Sequence, residues 1–215
     1  MSLSSDSPGR NPAIIDFYTK HLGDFGNSAK GVGWKNDEAQ LERFAQLVKV
    51  IGVPEHFSIN DLGCGTGRLV DYLTQHAYRS FTYHGYDILD DMVQTARTNF
   101  KDNSSVSLAK IESPENMREA DYTVASGIFN VKYEVADDTW LKHVLHTLEV
   151  MNAKSVKGLA FNVLTKYSDA QFMQGYLYYA DPLLLFDYCK KNFAKNVALL
   201  HDYHQYDFTI IVRKA

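Results

Sequence analysis

Apolar positions along this chain follow two periods in turn. Leu41, Phe44, Ala45, Val48 and Ile51 fall at i, i+3, i+4, i+7 and i+10, which predicts a helix over 36–51. Asn36 suits its N-cap, Asp37 and Glu38 its positive end, and Gly52 with Pro54 its stop. A shorter helix is expected over 12–22, with a glycine-bearing loop, 23–35, between the two. Beyond residue 56 the pattern alternates. Strand-like runs at 57–62, 80–86, 106–111, 122–128 and 155–163 are interleaved with helical runs at 66–76, 90–100, 137–151 and 181–192. The run 122–128 is almost unbroken in apolar and small residues, as a central parallel strand should be. Two closing runs, 197–203 and 208–213, read as a hairpin. Five βα units followed by a hairpin predict an α/β fold, a doubly wound and mostly parallel sheet with helices on both faces.

Composition narrows this little. Apolar content of 45%, charged content of 22% and a formal net charge of -4 describe an ordinary globular chain with no general attraction for nucleic acid or anionic membrane. No apolar run reaches the ~20 residues of a membrane span. The polar start, 1–10, lacks the apolar stretch of a signal peptide and is expected to be disordered. Cys64 and Cys189 are the two cysteines, and a cytoplasmic location with free thiols is the simpler reading. Tyrosine is unusually frequent, and several of the 14 crowd the C-terminal third.

The chemistry concentrates at Asp61-Leu62-Gly63-Cys64-Gly65-Thr66-Gly67, which leaves a predicted strand and opens a predicted helix. Glycines there let a ligand lie against bare backbone. Asp87 ends the next strand, where a carboxylate can accept hydrogen bonds from ribose hydroxyls. A dinucleotide turn, G-x-G-x-x-G, would need its third glycine at 68, yet Arg68 stands there. That argues against an NAD(P)-dependent oxidoreductase. No Gly-Lys-Ser/Thr follows, so a phosphate-binding loop is missing as well.

The segment Asp-Leu-Gly-Cys-Gly-Thr-Gly resembles the first motif of class I S-adenosylmethionine-dependent methyltransferases, and Gly-Tyr-Asp-Ile (85–88) resembles their second. The resemblance runs from about residue 57 to 163 and takes in the closing hairpin. It implies seven strands in the order 3-2-1-4-5-7-6, with strand 7 antiparallel. It implies S-adenosylmethionine (SAM) as cofactor, with Asp61 behind Gly63, Cys64, Gly65 and Gly67, Asp87 on the ribose and Ile88 on the adenine. By position, Glu112 or Ser113 would meet the adenine amino group, and Ser126 the sulfonium. Segment 11–54 would form a helical lid on the domain 55–215, with Trp34 walling the pocket and Lys30 or Lys35 near the cofactor's carboxylate.

Asn130 and Tyr133 are the candidates for orienting an acceptor. The aromatic segment 166–180 suits a cover over a small-molecule or sugar acceptor, taken by a monomer or homodimer. Cys64 is read as a space-filler. The pair His201/His204 lacks a third metal ligand, and the pair His143/His146, at helical spacing, is expected on a solvent face. A nucleic-acid methyltransferase is disfavoured by the acidic charge and by Ser-Gly-Ile-Phe-Asn (126–130), where such enzymes carry Asn/Asp-Pro-Pro-Tyr/Phe. A non-catalytic SAM-binding subunit is the remaining alternative.

Overall fold

Seven strands form one sheet in the order β3-β2-β1-β4-β5-β7-β6 in a computed structural model that describes residues 8–52, 55–76, 78 and 80–214. They are β1 Phe57–Leu62, β2 Phe81–Asp87, β3 Val106–Lys110, β4 Ala120–Ala125, β5 Ser155–Leu164, β6 Asn196–Leu200 and β7 Asp207–Arg213. β1 to β5 are parallel, and β7 inserts antiparallel between β5 and β6, the order the resemblance implies. The helices are α1 Pro12–Phe25, α2 Asp37–Leu47, α3 Arg68–Gln75, α4 Asp90–Asn99, α5 Asp137–Ala153 and α6 Pro182–Asn192.

Side chains alternate across the central strands and feed two cores. Leu159, Phe161 and Val163 of β5 join Ile210 and Val212 of β7 beneath α5 and α6, which contribute Trp140, Val144, Leu148 and Leu185. On the other face Ala160 and Ile211 join Ile59, Tyr83 and Val124 against Phe44 and Leu47 of α2 and Leu69 and Leu73 of α3. Such two-sided burial explains why these strands read as nearly continuous apolar runs.

Several boundaries differ from the sequence reading, each for a local reason. β4 stops at Ala125, not 128, because Gly127 turns the chain at φ +75 and gives its N–H to Asn162 Oδ1 at 2.8 Å. α3 starts at Arg68, after Gly67 at φ +84. β3 is followed by a 3-10 turn, Pro114–Asn116, so only four of the five expected βα units contain an α-helix. α2 gives way to a 3-10 turn at Val48–Val50; Phe44, Val48 and Ile51 of the expected stripe are buried and Ala45 packs beside them, but Leu41 is 38% exposed, whereas Gln40 and Arg43 are buried. Pro8–Arg10 form a 3-10 turn where disorder was expected, held by an Arg10–Glu112 ion pair at 3.1 Å. The start up to Ser7, and Pro54, lie outside the described residues. Among the described residues no helix is long and apolar enough to cross a membrane.

Candidate active site

The carboxyl ends of β1, β2 and β4 open onto a cavity of about 390 Å³. Its floor is the glycine turn after β1. Gly63 and Cys64 both donate their N–H groups to the Tyr86 carbonyl, at 2.7 and 3.0 Å, which ties the turn to the end of β2. Gly63, Gly65 and Gly67 all have positive φ. A Cβ on Gly65 would come within 2.8 Å of Val32 Cγ1, and one on Gly127 within 2.5 Å of the Trp34 ring. Glycine is therefore required on both sides of the cleft, where segment 28–35 closes over it.

Two carboxylates support this floor. Asp61 is buried at the end of β1 and accepts a hydrogen bond from the Tyr83 hydroxyl at 2.6 Å. Burial pushes its pKa up to about 7; the Tyr83 bond opposes this rise and the Asp87 charge adds to it. Asp87 ends β2 and accepts the Gly65 N–H at 2.9 Å on one oxygen and the Leu89 N–H at 3.0 Å on the other. Burial also raises its pKa, opposed by the backbone amides of Leu89, Gly65 and Ile88.

The cavity wall gathers Asp61, Gly63, Cys64, Gly65, Asp87, Ile88, Glu112, Ser126, Trp34 and Asn130, all singled out from the sequence. Glu112 stands exposed at the rim, and Ser126 Oγ accepts a hydrogen bond from Asn162 Nδ2 at 3.2 Å. Burial raises the pKa of the Cys64 thiol well above its ordinary range, which fits a space-filler and not a nucleophile. Two expected residues stand off the wall. Gly67 faces the Phe100 ring and shapes the turn, while Tyr133 packs its ring against Phe17 and Tyr176 with φ +49. Lys35 reaches the wall, but Lys30 lies by the Phe25 ring.

Other wall residues escaped the sequence reading. Gln40 and Arg43 of α2 and Thr66 of the turn each carry a buried polar atom with no partner: Oε1, Nε and Oγ1 respectively. Arg43 forms a buried ion pair with Asp207 of β7, and its guanidinium lies 4.2 Å from the centre of the Trp34 ring. Unpartnered polar atoms at a cavity wall can serve a polar guest. Bare glycine backbone, a ribose-type acid and unpartnered polar atoms together fit a SAM-sized ligand with a charged amino-acid end.

His143 also reaches the wall, which corrects its expected solvent face. α5 turns it under the N-terminal segment, where a Cβ on Gly9 would meet Nε2 at 2.7 Å. Burial and the nearby His146 push its pKa down to about 4. Among the described residues no three His, Cys, Asp or Glu side chains converge on a metal-sized site.

Residues 59–151 match the methyltransferase domain family. Over 171 residues the chain is 47% identical to the provisionally named methyltransferase Rv1506c of Mycobacterium tuberculosis, covering 78% of this chain and 99% of that protein. Its fold is similar to magnesium protoporphyrin IX methyltransferase from Synechocystis PCC 6803 with bound S-adenosylhomocysteine (SAH), with a TM-score of 0.65, 12% identity, and coverage of 95% of this chain and 100% of that one. It is also similar to the N-methyltransferase NodS from Bradyrhizobium japonicum WM9 in complex with SAH, with a TM-score of 0.64, 13% identity, and coverage of 97% and 98%. With the glycine turn, the acid ending β2 and this sheet order in place, the chain belongs to the class I SAM-dependent methyltransferases.

Proposed function

We propose that this methyltransferase acts on a small molecule, with segment 11–54 serving as a lid on the domain 55–215. The observation that carries the site assignment is the Asp87 carboxylate, which serves Gly65 and Leu89 and keeps about two of its four acceptor positions. Two ribose hydroxyls match that remaining capacity. Ile88 gives the adenine an apolar face, with Glu112 at its edge and His143 beyond. Gly63 and Gly65 bring bare backbone to the methionine chain, whose charged end Gln40, Arg43 and Thr66 would meet.

When bound, the cofactor supplies a methyl group on a cationic sulfur, which a lone pair of the acceptor displaces in line. The chain's own share is alignment and exclusion of water, and orientation of this kind is worth ~7–11 kcal/mol. Asn130 contributes to it. Its Oδ1 accepts the Leu164 N–H at 3.1 Å, which fixes the amide at the cavity wall.

Two buried free thiols fit a cytoplasmic setting, and a net charge of -4 favours small acceptors, sugars included, over nucleic acid. The test is a screen of metabolite pools for SAH production. Turnover with the wild type and its loss with Asp87→Ala are expected. Equal turnover by both proteins would discard the ribose assignment.

A further inference from the structure

The cavity has a charged end and an uncharged end. Asp61, Arg68 and Asp87 stand around the glycine turn, Lys35 and Arg43 on the lid side, and Glu112 with Arg10 at the tip of β3. The other end lies over the carboxyl ends of β4 and β5. It is built from Phe17 and Tyr18 of α1, Asn130, Val131, Leu164 and the pair Tyr176–Leu177.

Backbone hydrogen bonds hold this end in shape. Val131 bridges Leu177, Lys132 and Tyr133 donate to the Tyr176 carbonyl at 2.9 and 3.0 Å, and Tyr178 donates to the Asn130 carbonyl at 2.8 Å. The rings of Phe17, Tyr133 and Tyr176 meet pairwise with centroids 5.8 to 6.3 Å apart. None of these lining side chains carries a formal charge; Tyr18, which borders the Asp87 side, Asn130 and, at the end of β4, Ser126 supply the polar groups of the wall.

An ionised acceptor placed here would lose its hydration and gain no counter-ion. A sugar would bring several hydroxyls to a wall whose polar side chains are Tyr18, Asn130 and Ser126, the last already engaged by Asn162, leaving most of them unpaired. A flat ring would instead replace water on Tyr176 and on the part of the Phe17 ring that His21, 4.0 Å from it, leaves open, and keep its one polar edge for Tyr18 or Asn130. We propose that the acceptor is an uncharged, planar aromatic small molecule with a single polar handle, seated between α1 and the segment after β5. This rests on the cofactor occupying the charged end.

The test uses SAH-loaded protein and fluorescence titration with 2-naphthol, 2-naphthoate and methyl α-glucoside. 2-Naphthol is expected to bind saturably and at least tenfold more tightly than the other two. Phe17→Ala and Tyr176→Ala should each weaken it about tenfold, with the calorimetric SAH affinity unchanged within twofold. Equal or tighter binding of the naphthoate or the glucoside overturns the inference, with no need for any variant to fold. SAH binding without naphthol binding sinks the acceptor class alone, whereas absent SAH binding sinks the cofactor placement and this proposal with it.

Discussion

Removing the Asp87 carboxylate separates the task it has, shaping the turn, from the one we propose for it, holding the ribose. In the ligand-free chain it accepts the Gly65 and Leu89 amides at 2.9 and 3.0 Å. About two acceptor positions remain, and a hydrogen bond to a charged group contributes ~1.5–3 kcal/mol. Asp87→Ala should therefore weaken SAH binding by ~3–6 kcal/mol, on the order of 10²- to 10⁴-fold in Kd. It also frees two amides; water entering the vacated space keeps that folding cost near the low end of ~1–3 kcal/mol each. Asp87→Asn, with one acceptor oxygen left and a new donor beside a backbone N–H, should fall between. Calorimetric titration with SAH and with 2′-deoxy-SAH completes a double-mutant cycle. The deoxy analogue should bind the wild type more weakly and suffer no further loss in Asp87→Ala. An SAH Kd within threefold of wild type, or a deoxy penalty that survives the substitution, refutes the ribose role.

Asp61, neutral below the carboxylate range whether folded or not, has a folded pKa of about 7 against an ordinary 3.8. Between those values the folded state holds the extra proton, so ligand-free stability should fall as pH rises from ~4 to ~7, by on the order of 2–4 kcal/mol. Urea unfolding across that window measures the slope, and Asp61→Asn should flatten it; an unchanged slope would remove Asp61 as its cause. Arg43→Met should destabilise the fold by ~3–5 kcal/mol by stranding Asp207. Arg43→Met with Asp207→Asn should regain most of that in thermal unfolding yet bind SAH at least tenfold more weakly, whereas restored affinity would make the pair purely structural. Gly127→Ala should cost ~1–2 kcal/mol for its left-handed backbone and push Trp34 outward. A red-shifted tryptophan emission with weaker SAH binding is expected, and an unshifted spectrum would contradict the lid contact.

How far the site was legible depends on where each residue finds its partner. The glycines and Asp87 were legible although Asp87 meets Gly65 across 22 residues, because the turn between a strand and a helix and the acid ending the next strand recur as a recognisable motif pair. The strands were legible because two cores bury both faces of the sheet, but an apolar run does not show that Gly127 will break β4 three residues early. Arg43 was hidden for another reason. It is a polar residue on the buried face of α2, and its counter-ion, Asp207, lies 164 residues downstream. Hydrophobic periodicity turned Leu41 inward; the tertiary ion pair and the cavity turn Gln40 and Arg43 inward instead. His143 was misplaced similarly, since its cover comes from Gly9, in a segment expected to be disordered. An arginine within a helical stripe, followed by a buried-type acid in a late strand, was the only available signal.

The charge arrangement bears on how one cavity would take the two unlike guests proposed for it. Arg43 and Asp207 neutralise each other, so their buried pair adds structure with little net field at the cleft. Asp61 and Asp87 have no such partner: a phenol and backbone amides are what oppose their burial, and each raises the proton affinity of Asp61 or its neighbours. A cation entering beside them offsets that burial directly, because attraction between charges grows as water is excluded. Neither carboxyl offers an anion a counter-ion, and the uncharged wall over β4 and β5 gives a second cation nothing to hold. An acceptor carrying either sign of charge would thus compete for the wrong end or lose hydration at the right one, which is why a neutral molecule is the guest we propose beside the donor.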